Sequence, residues 1–242
     1  MEYFERRSHR ARVVRDAIRT AVVEGTWGAH PLPSEPELSQ QFGVGRNVVR
    51  EALSGLVAEG LLVRQQGAGT RPVARVVLHA TDRLKTLNED PDGPRKDRLI
   101  THQVLRWDEV PASPLHASAL DVPVGTPIVC LERVTRADTP LIFWSTFLRA
   151  DLGLRPPAPV GGTSSTGFYA YLEAAGLSLG EGHVRTSAVA CDEAVAELLE
   201  VPVGSPALVQ SRRLHLRDGR TVEASTGYYR PDQVALTNTF AR

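Results

Sequence analysis

Leu32-Pro-Ser-Glu-Pro-Glu-Leu38, followed by Phe42-Gly-Val-Gly-Arg-Asn-Val-Val-Arg-Glu-Ala-Leu53, decides how the chain begins. Ser34 and Glu37 have the spacing of a capping box. The hydroxyl accepts a free backbone N–H of the first turn, and the carboxylate reaches back to the cap. Pro36 is tolerable there because first-turn N–H groups have no helical partner. The pattern predicts a short helix to about Phe42, ended by Gly43. A longer helix follows from about Arg46 to Glu59, with Val49, Leu53, Leu56 and Val57 as its apolar stripe and Gly60 as its stop.

Upstream, residues 9–24 read as an amphipathic helix. Val13, Ala17, Ile18, Ala21 and Val22 fall on one face, and Arg10, Arg12, Arg15 and Arg19 decorate the others. Gly25 and Gly28 stop it. Downstream, Leu61 to Gln66 read as a strand, Gly67-Ala68-Gly69 as a turn and Thr70 to Val73 as the return strand. Three helices and a hairpin predict a winged helix-turn-helix over residues 1–75.

The helix that opens at Gly45 is the candidate reader of DNA. Arg46 and Arg50 stand four apart and share a face, with Asn47 at the tip. A guanidinium bonds guanine bidentately or a phosphate, and an Asn amide reads adenine. The helix N-terminus itself favours a phosphate. Gly67 and Gly69 let the backbone of the wing approach a sugar-phosphate chain. The formal net charge is zero, from 28 basic and 28 acidic residues, which taken alone argues against nucleic acid. Residues 1–75, however, carry a net +3 and the remainder −3, an asymmetry of the sign that DNA binding requires.

Together with Leu56-Val-Ala-Glu-Gly-Leu-Leu62 and Gly67-Ala-Gly-Thr70, these segments resemble the GntR family of bacterial transcription regulators over about residues 9–74. The resemblance implies a homodimer on a palindromic double-stranded DNA operator. It implies base and phosphate contacts at Arg46, Asn47, Arg50 and Gly67, with Ser34 and Glu35 opening the second helix. Gly45 stands where the family usually has Ser or Thr, and Pro36 where it often has Arg. Both departures remove a phosphate contact.

Residues 76–98 read as a linker and lead-in loop, polar and rich in Pro and Gly from 88 to 98. From residue 99 strands alternate, with helices near 168–175 and 192–199. An internal repeat governs this half: Leu120-Asp-Val-Pro-Val-Gly-Thr-Pro127 recurs as Leu199-Glu-Val-Pro-Val-Gly-Ser-Pro206, an offset of 79. Each copy leads into an apolar strand, then Arg133 or Arg212, a charged turn and a second strand. Two such copies pair most simply into one antiparallel sheet with helices against it, an α+β domain over 99–242.

Ala119-Leu-Asp-Val-Pro-Val-Gly125, Leu131-Glu-Arg-Val134, Phe168-Tyr-Ala-Tyr-Leu-Glu173 and Val222-Glu-Ala-Ser-Thr-Gly-Tyr-Tyr-Arg-Pro-Asp232 resemble the UTRA effector domain of the HutC subfamily. That domain has the fold of chorismate lyase. The resemblance covers about residues 80–240 and implies a small anionic effector held by Arg133, with Tyr169, Glu223 and Tyr229 at pocket positions. A guanidinium suits a carboxylate or phosphate, a carboxylate suits a hydroxyl or amine, and phenols stack and hydrogen-bond. Thr135 stands where some sugar-phosphate binders carry a second Arg, and Gly167 where they carry Ser, which weakens a phosphosugar assignment. Ser165, between Ser164 and Thr166, is a candidate hydroxyl donor.

Other function classes find less support. Cys130 and Cys191 read as buried packing residues in a reducing compartment. The histidines, including His102, His116, His183 and His215, have no metal-ligand spacing, and no cofactor is implied. No apolar run approaches a membrane span of roughly 20 residues, and Met1 to Arg12 has no signal-peptide core, so a cytoplasmic protein is expected. An enzyme on the lyase-like fold lacks a nucleophile–base pair or paired carboxylates. A ligand-responsive repressor leads, with an activator as the alternative.

Overall fold

The computed structural model describes residues 9–28, 30–65, 67, 69–73 and 99–238 in full, and the backbone of 2–8 and 77–80. The Pro- and Gly-rich segment 88–98 lies outside the described residues. The chain forms two compact units, Met1–Val76 and Val77–Arg242.

The first unit has α1 (Glu2–Val23), α2 (Glu35–Phe42), α3 (Arg46–Ala58), β1 (Leu62–Gln65) and β2 (Gly69–Pro72), the strands paired antiparallel. α1 starts before residue 9, and its buried stripe is Ala11, Val14, Ile18 and Val22, which keeps Ile18 and Val22 of the expected face but not Val13 or Ala17. Val13 is 53% exposed and Ala17 is exposed. The true stripe keeps the spacing of three and four that holds one side of a helix against a core. Arginines on every flank made neighbouring faces look equally apolar. On α3 the buried set is Val49, Ala52, Leu53 and Leu56, and Val57 is only half-buried. These residues meet the α1 stripe, Leu32, Leu38, Leu61 and Leu62 in one core.

Local chemistry fixes the helix ends. Ser34 is extended (φ −62°, ψ 160°) and caps α2. Its N–H and hydroxyl donate to Glu37 Oε2 at 2.7 and 2.6 Å, and its Oγ accepts from the Glu37 N–H. Gly43 is left-handed (φ +61°) and closes the helix, where a side chain would be strained. Glu59, at the end of α3, takes ion pairs from Arg15 and Arg19 of α1. The Leu32 N–H donates to the Thr70 carbonyl (2.8 Å), which fastens the wing beside the start of α2.

The second unit begins with β3 (Val77–Ala80), in the stretch expected to be linker. It then has β4 (Thr101–Pro111), α4 (Pro114–Leu120), β5 (Pro127–Arg136), β6 (Pro140–Arg149), β7 (Thr163–Ser164), α5 (Phe168–Ala174), β8 (Leu179–Ala190), α6 (Glu193–Leu199), β9 (Pro206–Leu216), β10 (Thr221–Tyr229) and β11 (Val234–Thr237). Seven strands form one antiparallel sheet in the order β7-β4-β5-β6-β10-β9-β8, and β3 pairs in parallel with β11. The architecture is α+β, as the sequence predicts.

The repeat extends further than its eight-residue signature. β4-α4-β5-β6 recurs as β8-α6-β9-β10, and the two copies meet where β6 pairs with β10. α4 and α6 are each opened by a side-chain cap, Ser113 and Asp192. Each closes on a left-handed non-glycine residue, Asp121 (φ 55°) and Glu200 (φ 54°). α4 and α6 pack on one face of the sheet, against Phe147 and Phe143 respectively. α5 covers the other face over Val104, Val129, Leu131 and Leu214.

Gly227 of β10 faces Trp144 of β6. A Cβ at Gly227 would stand 2.6 Å from the indole, closer than atoms approach. The strand therefore gives up a side chain to let the ring lie across it. Gly227→Ala is expected to lower stability by about 1–3 kcal/mol through overpacking and to alter tryptophan fluorescence. A urea midpoint equal to wild type would show that the ring has another place to go.

Candidate functional site

In the first unit, the residues expected to touch DNA lie at the openings of α2 and α3 and on the wing. Gly45 opens α3 in an extended conformation with no side-chain cap, so first-turn N–H groups are left for an outside acceptor. Arg46, Asn47 and Arg50 are exposed, while Val49, Ala52 and Leu53 of the same helix are buried. Ser34 is occupied in the cap. Glu35, first in α2, accepts from Arg50 Nε and Nη2 at 3.3 and 3.2 Å. Gly67 and Gly69 are exposed with φ +76° and +81°, a backbone that only glycine adopts without strain.

Arg64, on β1, also comes to this cluster, and the sequence reading missed it. It donates to Ser54 Oγ (3.0 Å) and lies 4.0 Å from Glu35. A single exposed Arg in a four-residue strand carries no periodic signal. Exposed ion pairs of this kind are worth little, so Glu35 orients Arg50 and Arg64 without locking them.

In the second unit, register puts Arg133, Trp144, Thr146, Gln210, Arg212, Glu223, Ser225 and Tyr229 on the sheet face beneath α5. All eight are buried. Arg212 donates to Glu223 Oε1 (3.2 Å) and to the Tyr169 hydroxyl, and its guanidinium lies 4.3 Å from the Trp144 ring centre. Arg133 stacks on Phe168 at 3.7 Å and stands 5.7 Å from the Trp144 ring. The Tyr229 hydroxyl donates to Gln210 Oε1 at 2.7 Å. Four of the expected effector residues, Arg133, Tyr169, Glu223 and Tyr229, are thus brought together. The fifth, Ser165, is exposed on the segment leading into α5.

The charges here are held in place by one another. Burial lowers the Arg133 pKa to about 10, partly offset by Glu223, so it stays cationic at neutral pH. Burial, the largest single influence, disfavours charge on Arg212, but Glu223 together with Tyr169 and Tyr229 outweighs it and holds Arg212 above its ordinary value. His102, hydrogen-bonded to Thr135 at 3.0 Å, falls to about 3 through burial and the Arg133 charge, and is neutral. Five buried polar atoms on this face have no hydrogen-bond partner among the described residues: Arg133 Nε, Arg212 Nε, Glu223 Oε2, Thr146 Oγ1 and Ser225 Oγ. Buried polar groups are nearly always satisfied, so five together make this face the candidate site.

Arg212, Trp144 and Phe168 were not singled out from sequence. The 79-residue offset already made Arg212 the counterpart of Arg133, which was the available signal. An open groove of about 850 Å³ is also present, but most of its lining, including His116, Phe147, His183, Arg185, Arg213 and His215, belongs to the face that carries α4. Of the residues that hold the unpaired atoms, only Arg212 and Ser225 reach it, so it is the weaker candidate.

Comparison with known proteins agrees with both units. Residues 10–71 match the model described as bacterial regulatory proteins, gntR family, and residues 96–235 match the UTRA domain. An HTH-type transcriptional regulator of Rhizobium meliloti is 37% identical over an alignment covering 52% of each chain, so the chain matches about half of that relative's length. The HTH-type transcriptional repressor NagR of Bacillus subtilis is 28% identical over 88% of this chain and 86% of its own. The crystal structure of PhnF from Mycobacterium smegmatis superposes with a TM-score of 0.65 at 23% identity, covering 94% of this chain and 99% of that one, a likeness of fold.

Glu223→Ala leaves Arg212 buried without its carboxylate. It is expected to cost about 3–5 kcal/mol in chemical denaturation. A loss below about 1 kcal/mol, typical of exposed pairs, would mean that solvent reaches Arg212.

Proposed function

The chain belongs to the gntR family of bacterial regulatory proteins, with the UTRA domain of the HutC-type architecture, and on that footing we propose that it is an effector-responsive transcriptional repressor. Its family is one of regulators, not enzymes. The repressor reading is supported by the name of NagR. The DNA contacts proposed are Arg46, Asn47 and Arg50 of α3, the Ser34–Glu35 opening of α2, and Gly67 and Gly69 of the wing. The effector proposed is a small anion bound at Arg133, Tyr169, Glu223 and Tyr229, with Ser165 at the approach. The observation that carries the sensor half is the set of five unpaired buried polar atoms beneath α5.

A homodimer on a palindromic operator completes the proposal, acting in the cytoplasm where the target DNA lies. The support is β8. Its counterpart β4 is covered at its edge by β7, whereas β8 ends the sheet with Glu181 to Ala190 all exposed. A long bare edge strand invites pairing with another chain. In such a dimer, an effector acts by favouring one spacing of the two reading helices over another.

Arg50→Ala is expected to remove specific binding to the promoter DNA beside the protein's own gene, with the circular dichroism spectrum unchanged. Arg133→Ala should keep that binding and lose release by a metabolite extract. Equal operator affinity for Arg50→Ala and wild type, or normal release of Arg133→Ala, would overturn the corresponding assignment. No gel shift of any neighbouring promoter at low salt sinks the DNA-binding reading itself.

A further inference from the structure

The buried group beneath α5 has a definite charge and a definite set of open valences. Its ions are the Arg133 and Arg212 guanidiniums and the Glu223 carboxylate. His102, the histidine beside Arg133, is neutral there. The group therefore carries one net positive charge. Arg212 is already neutralised by Glu223 at 3.2 Å. Arg133 instead rests between aromatic rings, Phe168 at 3.7 Å and Trp144 at 5.7 Å, with its Nε unpaired.

Register explains why both guanidiniums serve one site. Arg133 faces Trp144 across β5–β6, and Arg212 faces Ser225 across β9–β10. Ser225 in turn faces Thr146, and Trp144 faces Gly227, across the central β6–β10 pair. The two copies of the repeat thus present their arginines from opposite sides of one central pair of strands. Trp144 crosses that centre over Gly227 and lies under Arg212. Open donors come from both sides (Arg133 Nε and Arg212 Nε), hydroxyls from the middle (Thr146 and Ser225), and one open acceptor, Glu223 Oε2.

We infer that the effector carries one negative charge and a hydroxyl or N–H donor: an oxyanion for Arg133 and a donor for the free oxygen of Glu223. A phosphate monoester, doubly charged near neutral pH, leaves one net negative charge in a buried site. A singly charged oxyanion leaves none. Burying an uncompensated ion is costly. A donor is required because Glu223 Oε2 otherwise stays unsatisfied with the site occupied. This rests on the sensor reading above and narrows the chemistry of that same site. Thr135 acts in the same direction, since it supplies no second cation and its hydroxyl is engaged with His102.

The test uses full-length protein and matched probes: glucuronate against glucose 6-phosphate, glycerate against glycerol 3-phosphate, and propionate as a carboxylate without a hydroxyl. Ligand binding raises the thermal midpoint, and titration calorimetry gives affinities. Stabilisation by glucuronate or glycerate is expected, with the matched phosphate and propionate at least about tenfold weaker. Glu223→Gln keeps the side-chain shape, raises the site by one positive charge, and should shift preference toward the phosphate. Arg133→Gln should abolish binding of the carboxylate. Circular dichroism checks that each variant folds.

Tighter binding of a phosphate monoester to wild type overturns the charge inference and leaves the sensor reading in place. So does release from the operator by a metabolite extract when neither hydroxy acid shifts the midpoint. An extract that never releases the operator fails the sensor reading itself, and the inference falls with it.

Discussion

Burying a guanidinium costs several kcal/mol unless it is paired, and the second unit buries two of them against one indole. Everything around that point serves to make it tolerable. Glu223, fully buried, neutralises Arg212. Tyr169 accepts from Arg212, and Phe168 from the same helical turn stacks on Arg133. Cation–π contact is worth more once desolvated, so aromatic cover is the one support an apolar lid can give a cation. α5 is therefore more than a cap on an apolar core. It supplies the surfaces that let Arg133 remain charged and under-bonded, which a ligand site requires and a merely stable core does not.

The first unit meets the opposite demand. Its polar chemistry must stay outside, so its local devices fix geometry rather than neutralise charge. The capping box at Ser34 and Glu37 and the left-handed Gly43 set where α2 begins and ends. The buried side of α3 then determines where Arg46, Asn47 and Arg50 stand. Glu35 gathers Arg50 and Arg64 by weak exposed pairs that a phosphate can displace. Arg64 also bears on the loss at Pro36. It returns a cation to the opening of α2, where the family often has an Arg of its own.

Elements announced by short-range chemistry were legible in the sequence. Caps and glycine stops announced α2, α3 and the hairpin, because each depends on residues a few positions apart, and the repeat signature announced the antiparallel sheet. Which face of α1 is buried was not legible, since that is decided by α3 and the core it meets. The pair of β3 with β11 joins residues some 157 positions apart, a pairing that no short-range pattern announces. The effector group shows the same division. Arg133, Tyr169, Glu223 and Tyr229 came from family motifs. Trp144, Thr146 and Ser225 depend on register across β6–β10, which one sequence does not encode locally.

Register also corrects how the repeat is to be used. A uniform offset of 79 would match Trp144 with Glu223. The second hairpin is longer, with an irregularity between Thr221 and Glu223, and the strand residue that faces Arg212 is Ser225, as Trp144 faces Arg133. The repeat therefore supplies two equivalent arginines whose surroundings differ. On one side an indole occupies the position beside the guanidinium. On the other a small hydroxyl residue leaves room, and the slipped strand delivers Glu223 to Arg212. With two tryptophans both arginines would lie under rings, and with two glutamates both would be neutralised. One of each leaves a single cation in want of an anion.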